Sequence, residues 1–208
     1  MNQTLTPVIK NLLIANGLVW VAQIIFAKQG LHLEIYGGLW GFETGNFKVW
    51  QLVSYMFMHE AVDAAGQIVF AHILFNMFAL WMFGNILENV WGSKRFFTFY
   101  MICGIGAGLV QLIFQKDFVA IGASGAIMGV MAAFVYLFPN TSLYIMFIPI
   151  PLKAKYVIPG FMLLDLFGSI APRQGDNVAH WAHLGGAIVG LILVIIWNRS
   201  KSNKSNFY

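Results

Sequence analysis

The sequence predicts an all-α polytopic membrane protein, a bundle of six transmembrane helices. Apolar residues make up 59% of the 208 residues and charged residues only 10%, whereas soluble domains carry roughly 25% charged residues. The mean hydropathy is +0.73, and apolar stretches of about 17–25 residues, the length that crosses a bilayer, recur along the chain. This length fits a single membrane domain, residues 1–200, followed by a polar C-terminal tail, residues 201–208.

Each predicted span is an apolar stretch bounded by charged or polar residues. Asp165 and Gly168 interrupt the fifth stretch. The segment 28–66 is rich in Trp, Tyr and Phe, and we expect this outer loop to lie partly in the membrane interface, where aromatic residues are favoured. The expected spans are residues 11–27, 67–87, 96–115, 122–138, 156–171 and 178–197.

The distribution of Lys and Arg predicts the orientation of these spans. If the N-terminus is cytoplasmic, eight of the twelve Lys and Arg residues fall on the cytoplasmic side. This excess favours cytoplasmic N- and C-termini. The net charge of +4 is scattered over span ends and gives no reason to expect nucleic-acid binding, and the single Cys103 excludes a disulfide framework within the chain.

Polar residues cluster at the outer ends of the second, fourth and sixth spans. They are His72 and Asn76, Ser124, and His180 with His183. At 1.5 Å per helical residue each lies on the order of 3–14 Å below the start of its span, so three distant segments place polar groups at a similar depth. Polar residues inside a membrane are costly and are functional candidates.

Small residues give the fourth and sixth spans a way to approach each other. Gly125 and Gly129 are four residues apart, as are Gly186 and Gly190, and such faces let helices pack closely in lipid. Close packing is what a serine–histidine hydrogen bond of about 2.6–3.2 Å requires. The sequence therefore predicts contact between the polar residues that neighbour these glycines.

The residue types at this cluster favour acyl-transfer chemistry. Ser124 is the candidate nucleophile and His183 the candidate general base that takes its proton. His72 and Asn76 can donate hydrogen bonds to a developing oxyanion, as can the Ser124 backbone N–H if Ser124 lies in the first turn of its helix. A Ser–His dyad is the simplest interpretation.

Other interpretations of these residues stay open at this point. Asp165 or Asp176 could orient the histidine, since they are the acids nearest to the cluster in the predicted topology. His72, His180 and His183 could instead bind a metal, although no acidic residue lies beside them and we expect neither a metal nor a cofactor. Ser and His side chains can also serve helix packing alone.

The chain resembles the rhomboid family of intramembrane serine proteases from about Met58 to Trp197. Four ordered motifs carry the resemblance, and together they are more specific than any one of them. They are His72-Ile-Leu-Phe-Asn76, the Gly84…Glu88…Gly92…Arg95-Phe96…Tyr100…Gly104 pattern, Gly122-Ala-Ser124-Gly125, and Ala182-His183-x-x-Gly186-x-x-x-Gly190.

The resemblance implies a fold, a site and a class of substrate. It implies that Ser124 is the nucleophile, that His183 is the base, and that His72, Asn76 and the Ser124 backbone form an oxyanion hole shaped by Gly122. Family substrates are single-span membrane proteins that enter laterally from the bilayer past the fifth span. Family members often carry an aromatic residue one turn after the serine, where this chain has Met128.

Two other functional classes are weighed against the protease. A catalytically silent rhomboid-like protein would bind client membrane proteins, but this chain retains Ser124, His183, His72 and Asn76. A transporter or channel would need polar groups across the bilayer, whereas these cluster at one depth. The compact core favours a bacterial inner membrane, and the sequence does not fix the oligomeric state.

Overall fold

The computed structural model describes residues 5–144, 150–171 and 178–205, which form a predominantly helical protein. A π-helical stretch, Leu80–Gly84, joins α4 to α5 without a break, and 3-10 turns cover Phe42–Thr44 and Tyr55–Phe57. The helices are α1 (Pro7–Ala27), α2 (Glu34–Gly37), α3 (Gln51–Ser54), α4 (Ala71–Ala79), α5 (Asn85–Trp91), α6 (Ser93–Phe114), α7 (Ser124–Leu137), α8 (Ala154–Ile170) and α9 (His180–Ser205). The strands are β1 (Leu39–Trp40), β2 (Val119–Ala120), β3 (Ser142–Tyr144) and β4 (Pro151–Lys153).

The helices confirm the predicted class, a helical polytopic membrane protein. Within the described residues, four helices are long and apolar enough to cross a bilayer, and α7 is a shorter apolar helix of 14 residues. The number of six spans and the cytoplasmic placement of both termini stay predictions. The four long apolar helices are Pro7–Ala27, Ala71–Trp91, Ser93–Phe114 and His180–Arg199.

Two helices continue through residues that the sequence marked as an interruption or as a tail. α8 covers nearly the same residues as the expected span 156–171 and continues past Asp165 and Gly168, because one buried acid with hydrogen-bond partners is compatible with a helix that packs against a neighbour. α9 extends to Ser205, so the backbone of the expected polar tail is helical as far as that residue.

Glycines bring α7 and α9 into backbone contact at the centre of the bundle. A Cβ atom at Gly186 would overlap the carbonyl oxygen of Gly125, and one at Gly190 would lie 2.5 Å from the Cα of Gly129. On its other side α7 packs against α6, where Cys103 Sγ would lie 2.5 Å from a Cβ at Gly129. Only glycine allows this approach, which sets the separation of the two helices that carry the serine and the histidine.

The outer loop holds the segment that precedes α7. β1 pairs antiparallel with β2, with Leu39 opposite Ala120. Two residues later, Gly122 donates its backbone N–H to the carbonyl of Tyr55 at 2.9 Å. The buried Tyr55 hydroxyl in turn donates to the carbonyl of Gly104 in α6 at 2.7 Å. The start of α7 is therefore tied both to the outer loop and to the central helix.

A carboxylate at the opposite end fastens α1 to the rest of the bundle. The buried Glu88 accepts hydrogen bonds from the backbone N–H groups of Val8 and Ile9, both at 2.9 Å. Its two oxygens also accept from the hydroxyls of Thr6 and Ser93 at 2.5 and 2.6 Å. These donors include N–H groups of the first turn of α1, which have no partners inside their own helix.

Candidate active site

Ser124 and His183 are in direct contact. Ser124 is the first residue of α7, and His183 lies in the first turn of α9. Their Oγ and Nε2 atoms are 2.7 Å apart, a hydrogen-bonding distance, although the residues are 59 positions apart in the chain. Both side chains are partly buried, so the pair lies in a recess rather than on the surface.

Asp165 of α8 joins this pair on the far side of the imidazole. Its Oδ1 atom lies 2.9 Å from Nδ1 of His183 and 2.7 Å from Nδ1 of His180. The carboxylate side chain is only 11% exposed, so water does not compete freely for these contacts. Three helices thus converge, with α7 supplying the hydroxyl, α9 the two imidazoles and α8 the carboxylate.

This arrangement fixes the tautomer of His183. An ionised carboxylate only accepts hydrogen bonds, so the Nδ1 atom of His183 carries the hydrogen that faces Asp165. The Nε2 atom of the neutral ring is then an acceptor, and the Ser124 hydroxyl donates to it. This is the state in which a histidine can remove the proton of a serine.

Asp165, His180 and His183 are also residue types that can bind a metal ion. One ligand atom from each of Asp165, His180 and His183 lies within 4.8 Å of the others. Ligands about 2.0–2.2 Å from a tetrahedral ion stand more than about 3 Å apart, whereas two of these contacts are hydrogen bonds of 2.7 and 2.9 Å. The geometry therefore favours a hydrogen-bonded set. The alternative ligand set weighed from the sequence included His72, which is not a member of this group.

Gly122 and His72 also lie beside Ser124. Gly122 has a φ of +123°, a conformation that glycine adopts readily. The position of a Cβ at Gly122 lies 2.8 Å from Nε2 of His72 and 3.6 Å from Oγ of Ser124. The absent side chain leaves a space next to the serine that faces the His72 ring.

Hydrogen bonding also orients His72. Its Nδ1 atom accepts the backbone N–H of Glu60 at 3.2 Å, so the hydrogen of the neutral ring is on Nε2. That N–H faces the space beside Gly122 and Ser124. Asn76 lies one turn further along the same face of α4, where its amide donates to the His72 carbonyl at 2.9 Å. Because α7 begins at Ser124, the serine backbone N–H has no acceptor within its own helix.

Several residues that support the site carry no local sequence signal. Gln111 of α6 is buried, and its Oε1 atom accepts the backbone N–H of Ala182 at 2.9 Å, which seats the start of α9. Tyr55 holds Gly122, as described above, and burial raises the pKa of its hydroxyl, which stays a neutral donor. The one sequence feature that could have indicated a role for Gln111 is its polar side chain within an otherwise apolar helix.

His59 places a buried imidazole next to His72. It is fully buried, and the two ring centres are 5.0 Å apart. Burial, and to a lesser degree the nearby His72, lower the pKa of His59 to about 3, although a contact with the Phe57 backbone offsets part of the change. His59 is therefore neutral at physiological pH and adds no positive charge beside the site.

Comparisons with known proteins identify the family of this chain. Residues 46–200 match the family model of the rhomboid domain. The chain is 29% identical over 191 residues to Rhomboid protein 1, mitochondrial, of Saccharomyces cerevisiae, which covers 81% of this chain and 51% of that protein. It is 30% identical over 200 residues to Rhomboid-like protein 11, chloroplastic, of Arabidopsis thaliana, which covers 90% of this chain and 66% of that protein.

A human relative, Presenilin-associated rhomboid-like protein, mitochondrial, is 31% identical over 136 residues, which covers 61% of this chain and 35% of that protein. The chain thus spans between about one third and two thirds of the length of these relatives. The family consists mainly of intramembrane serine proteases that act on transmembrane substrates, and it includes members without activity. Because the family model covers most of the chain, this integral membrane protein belongs to the rhomboid family.

Proposed function

We propose that this protein is an intramembrane serine endopeptidase that cuts single-span membrane proteins in or near their transmembrane segments. The observation that carries the proposal is the 2.7 Å contact between Ser124 Oγ and His183 Nε2, with the acceptor nitrogen facing the hydroxyl. A packing role for the serine would require only a bond to its own helix backbone. Contact with an imidazole on another helix is the arrangement that nucleophilic catalysis needs.

The reaction follows from these positions. His183 takes the Ser124 proton as Oγ attacks the scissile carbonyl carbon, and a tetrahedral intermediate forms with a negative charge on the carbonyl oxygen. His183 then gives this proton to the leaving amine, and the C–N bond breaks to leave an acyl-serine. A water molecule, deprotonated by His183, attacks the acyl group, and the proton returns to Ser124 as the second product leaves.

The oxyanion is assigned to the space beside Gly122. The His72 Nε2–H faces this space, and the Ser124 backbone N–H, which has no acceptor within its own helix, is the second donor. Asn76 shares a helix face with His72; one hydrogen of its amide is donated to the His72 carbonyl, and the other is a further donor. Preorganised donors of this kind stabilise the charge that develops in the transition state, and each contributes about 3–4 kcal/mol in well-studied cases.

Cleavage of a reporter substrate with one transmembrane segment tests the proposal. Purified wild type in liposomes should cut the substrate and react with a fluorophosphonate probe, whereas Ser124→Ala and His183→Ala should do neither. Retained cleavage in both variants would contradict the assignment. A wild type that binds the substrate with neither cleavage nor labelling would instead identify a catalytically silent client-binding protein, and loss of cleavage on chelation would favour a metal site.

The cellular location of the protein is predicted from the sequence, which favours a bacterial inner membrane. The names of the relatives place those proteins in mitochondria and chloroplasts, and these names do not locate this chain. The inner-membrane assignment therefore stays a prediction. Fractionation of the native host, with a marker enzyme for each membrane, tests it directly.

A further inference from the structure

Asp165 is a buried acid that the two-residue mechanism leaves without a role. It lies on α8, whereas Ser124 and His183 lie on α7 and α9. Its Oδ1 atom faces Nδ1 of His183 at 2.9 Å, on the side of the ring opposite to the serine. A buried charge is costly unless it is paired and hydrogen-bonded, and here the partners are two imidazoles.

His180 also contacts Asp165, and its ring packs against α8. The His180 Nδ1 atom lies 2.7 Å from the same oxygen of Asp165. One turn further along α8, a Cβ at Gly168 would overlap the imidazole of His180. The acid and the glycine therefore form a seat for the His180 ring, and this seat is independent of the contact with His183.

We propose that Asp165 is a positioning residue, shared by His180, that holds His183 in the tautomer and orientation required to accept the proton of Ser124. The proposal rests on the protease function proposed above. The carboxylate acts through His183 and does not touch the substrate. Because Asp165 belongs to a different helix from the serine and the histidine, the base is correctly oriented only while α8 is packed against α9.

Asp165 differs in kind from the other groups that face His183. Within the described residues, the ionisable groups that face it are Asp165 of α8, His180 of its own helix and His72 of α4. α7 contributes the uncharged Ser124, and α6 the uncharged Gln111 at the neighbouring Ala182. Asp165 is the only carboxylate in this described set, so its removal takes away the oxygen that accepts the Nδ1 hydrogen of His183.

The first experiment compares Asp165→Asn with Asp165→Glu and with Asp117→Asn, an exposed acid outside the site that matches the change in charge. Asp165→Asn should lower kcat/KM at least about 100-fold, mainly through kcat, because an amide can stabilise the wrong tautomer. The KM should stay within about twofold of wild type, because the carboxylate acts through His183 and does not touch the substrate. Asp165→Glu should recover part of the activity, and Asp117→Asn should match wild type.

A role limited to folding would give a different result. It would lower the unfolding midpoint and the amount of folded protein, while kcat and KM per folded molecule would match wild type. That result, or wild-type kcat/KM in Asp165→Asn, overturns the proposal while leaving the protease function intact, provided that Ser124→Ala is inactive. Activity in Ser124→Ala would overturn the protease function itself.

A double-mutant cycle tests the shared oxygen. His180→Phe removes the second donor to Asp165 and should lower kcat/KM on the order of tenfold in the wild-type background. In the Asp165→Asn background the same change should alter kcat/KM less than about twofold, because the two residues act through one contact. Equal losses in both backgrounds would show that His180 acts independently and would overturn this part of the proposal.

Discussion

Gly122 donates its backbone N–H to the carbonyl oxygen of Tyr55 at 2.9 Å, and this bond fixes the turn that leads into Ser124. The turn has a φ of +123° at Gly122, and the space where a side chain would stand faces Nε2 of His72. One glycine thus combines an unusual backbone conformation with the opening proposed for the oxyanion.

Replacement of this glycine should impair catalysis more than stability. Gly122→Ala introduces a Cβ that would lie 2.8 Å from His72 Nε2, in a conformation that costs about 1–3 kcal/mol for other residues. We expect at least a tenfold loss of kcat with a modest fall in the unfolding midpoint. Gly45→Ala is the matched control, because Gly45 also has a positive φ, of +73°, but has nothing within 4 Å of its Cβ position. Equal activity in the two variants would contradict the assignment of this space.

The helical membrane class and the pairing of Ser124 with His183 could be predicted from the sequence, because both leave a regular pattern along the chain. The hydropathy of the chain predicted the helical membrane class, which is confirmed. The depth of the polar residues and the spacing of the glycines singled out Ser124 and His183, whose side chains lie 2.7 Å apart in the structure. Both signals are periodic along a helix, so one sequence is enough to detect them.

Contacts that depend on tertiary structure had no such signal. The predicted topology offered Asp165 and Asp176 equally as acids that could orient the histidine, and no local feature showed that Asp165 faces the ring nitrogens of two histidines 15 and 18 residues away. The pairing of β1 with β2 joins two-residue strands about 80 positions apart, too short to leave a periodic pattern. The role of Gln111 depends equally on the position of another helix.

Gly186 should be intolerant of any side chain. Its Cβ position overlaps the carbonyl of Gly125, so Gly186→Ala must push α7 and α9 apart. Overpacking of this kind costs about 1–3 kcal/mol or more. We expect a lower unfolding midpoint and, because the Ser124–His183 contact joins the same two helices, a lower kcat. In contrast, Gly17→Ala in α1 has nothing within 4 Å of the new atom and should leave both quantities unchanged or raise stability slightly. Comparable behaviour of the two variants would contradict the packing argument.

His59 should make the protein less stable in mild acid. The unfolded chain protonates this residue near its ordinary pKa of 6.5, whereas the folded protein keeps it neutral until about pH 3. The contribution of the neutral His59 to stability is therefore fully present above about pH 6.5 and is lost as the pH falls from there toward 3. In this range the free energy of unfolding decreases by about 1.4 kcal/mol per pH unit because of this residue.

Unfolding of wild type and His59→Gln at several pH values measures this contribution. The slope between pH 6.5 and 4 should be smaller in His59→Gln, because the glutamine does not titrate. His32→Gln changes a histidine whose side chain is 47% exposed, and it should keep a slope closer to that of wild type. Parallel curves for wild type and His59→Gln would rule out a titration of His59 on unfolding.

Glu88 should contribute more to stability than any exposed acid of this chain, because its carboxylate is only 2% exposed and accepts four hydrogen bonds. Glu88→Gln keeps the size of the side chain but turns an NH2 group toward donors, so at least one buried pair is lost, at a cost of about 3 kcal/mol. Glu43→Gln is the control, since Glu43 is 63% exposed and its contact with Lys116 is 3.6 Å long. That change should stay within about 0.5 kcal/mol of wild type. Reversible unfolding in mixed detergent micelles measures both, and a loss at Glu88 no larger than at Glu43 would contradict a role for the Glu88 hydrogen bonds in holding α1.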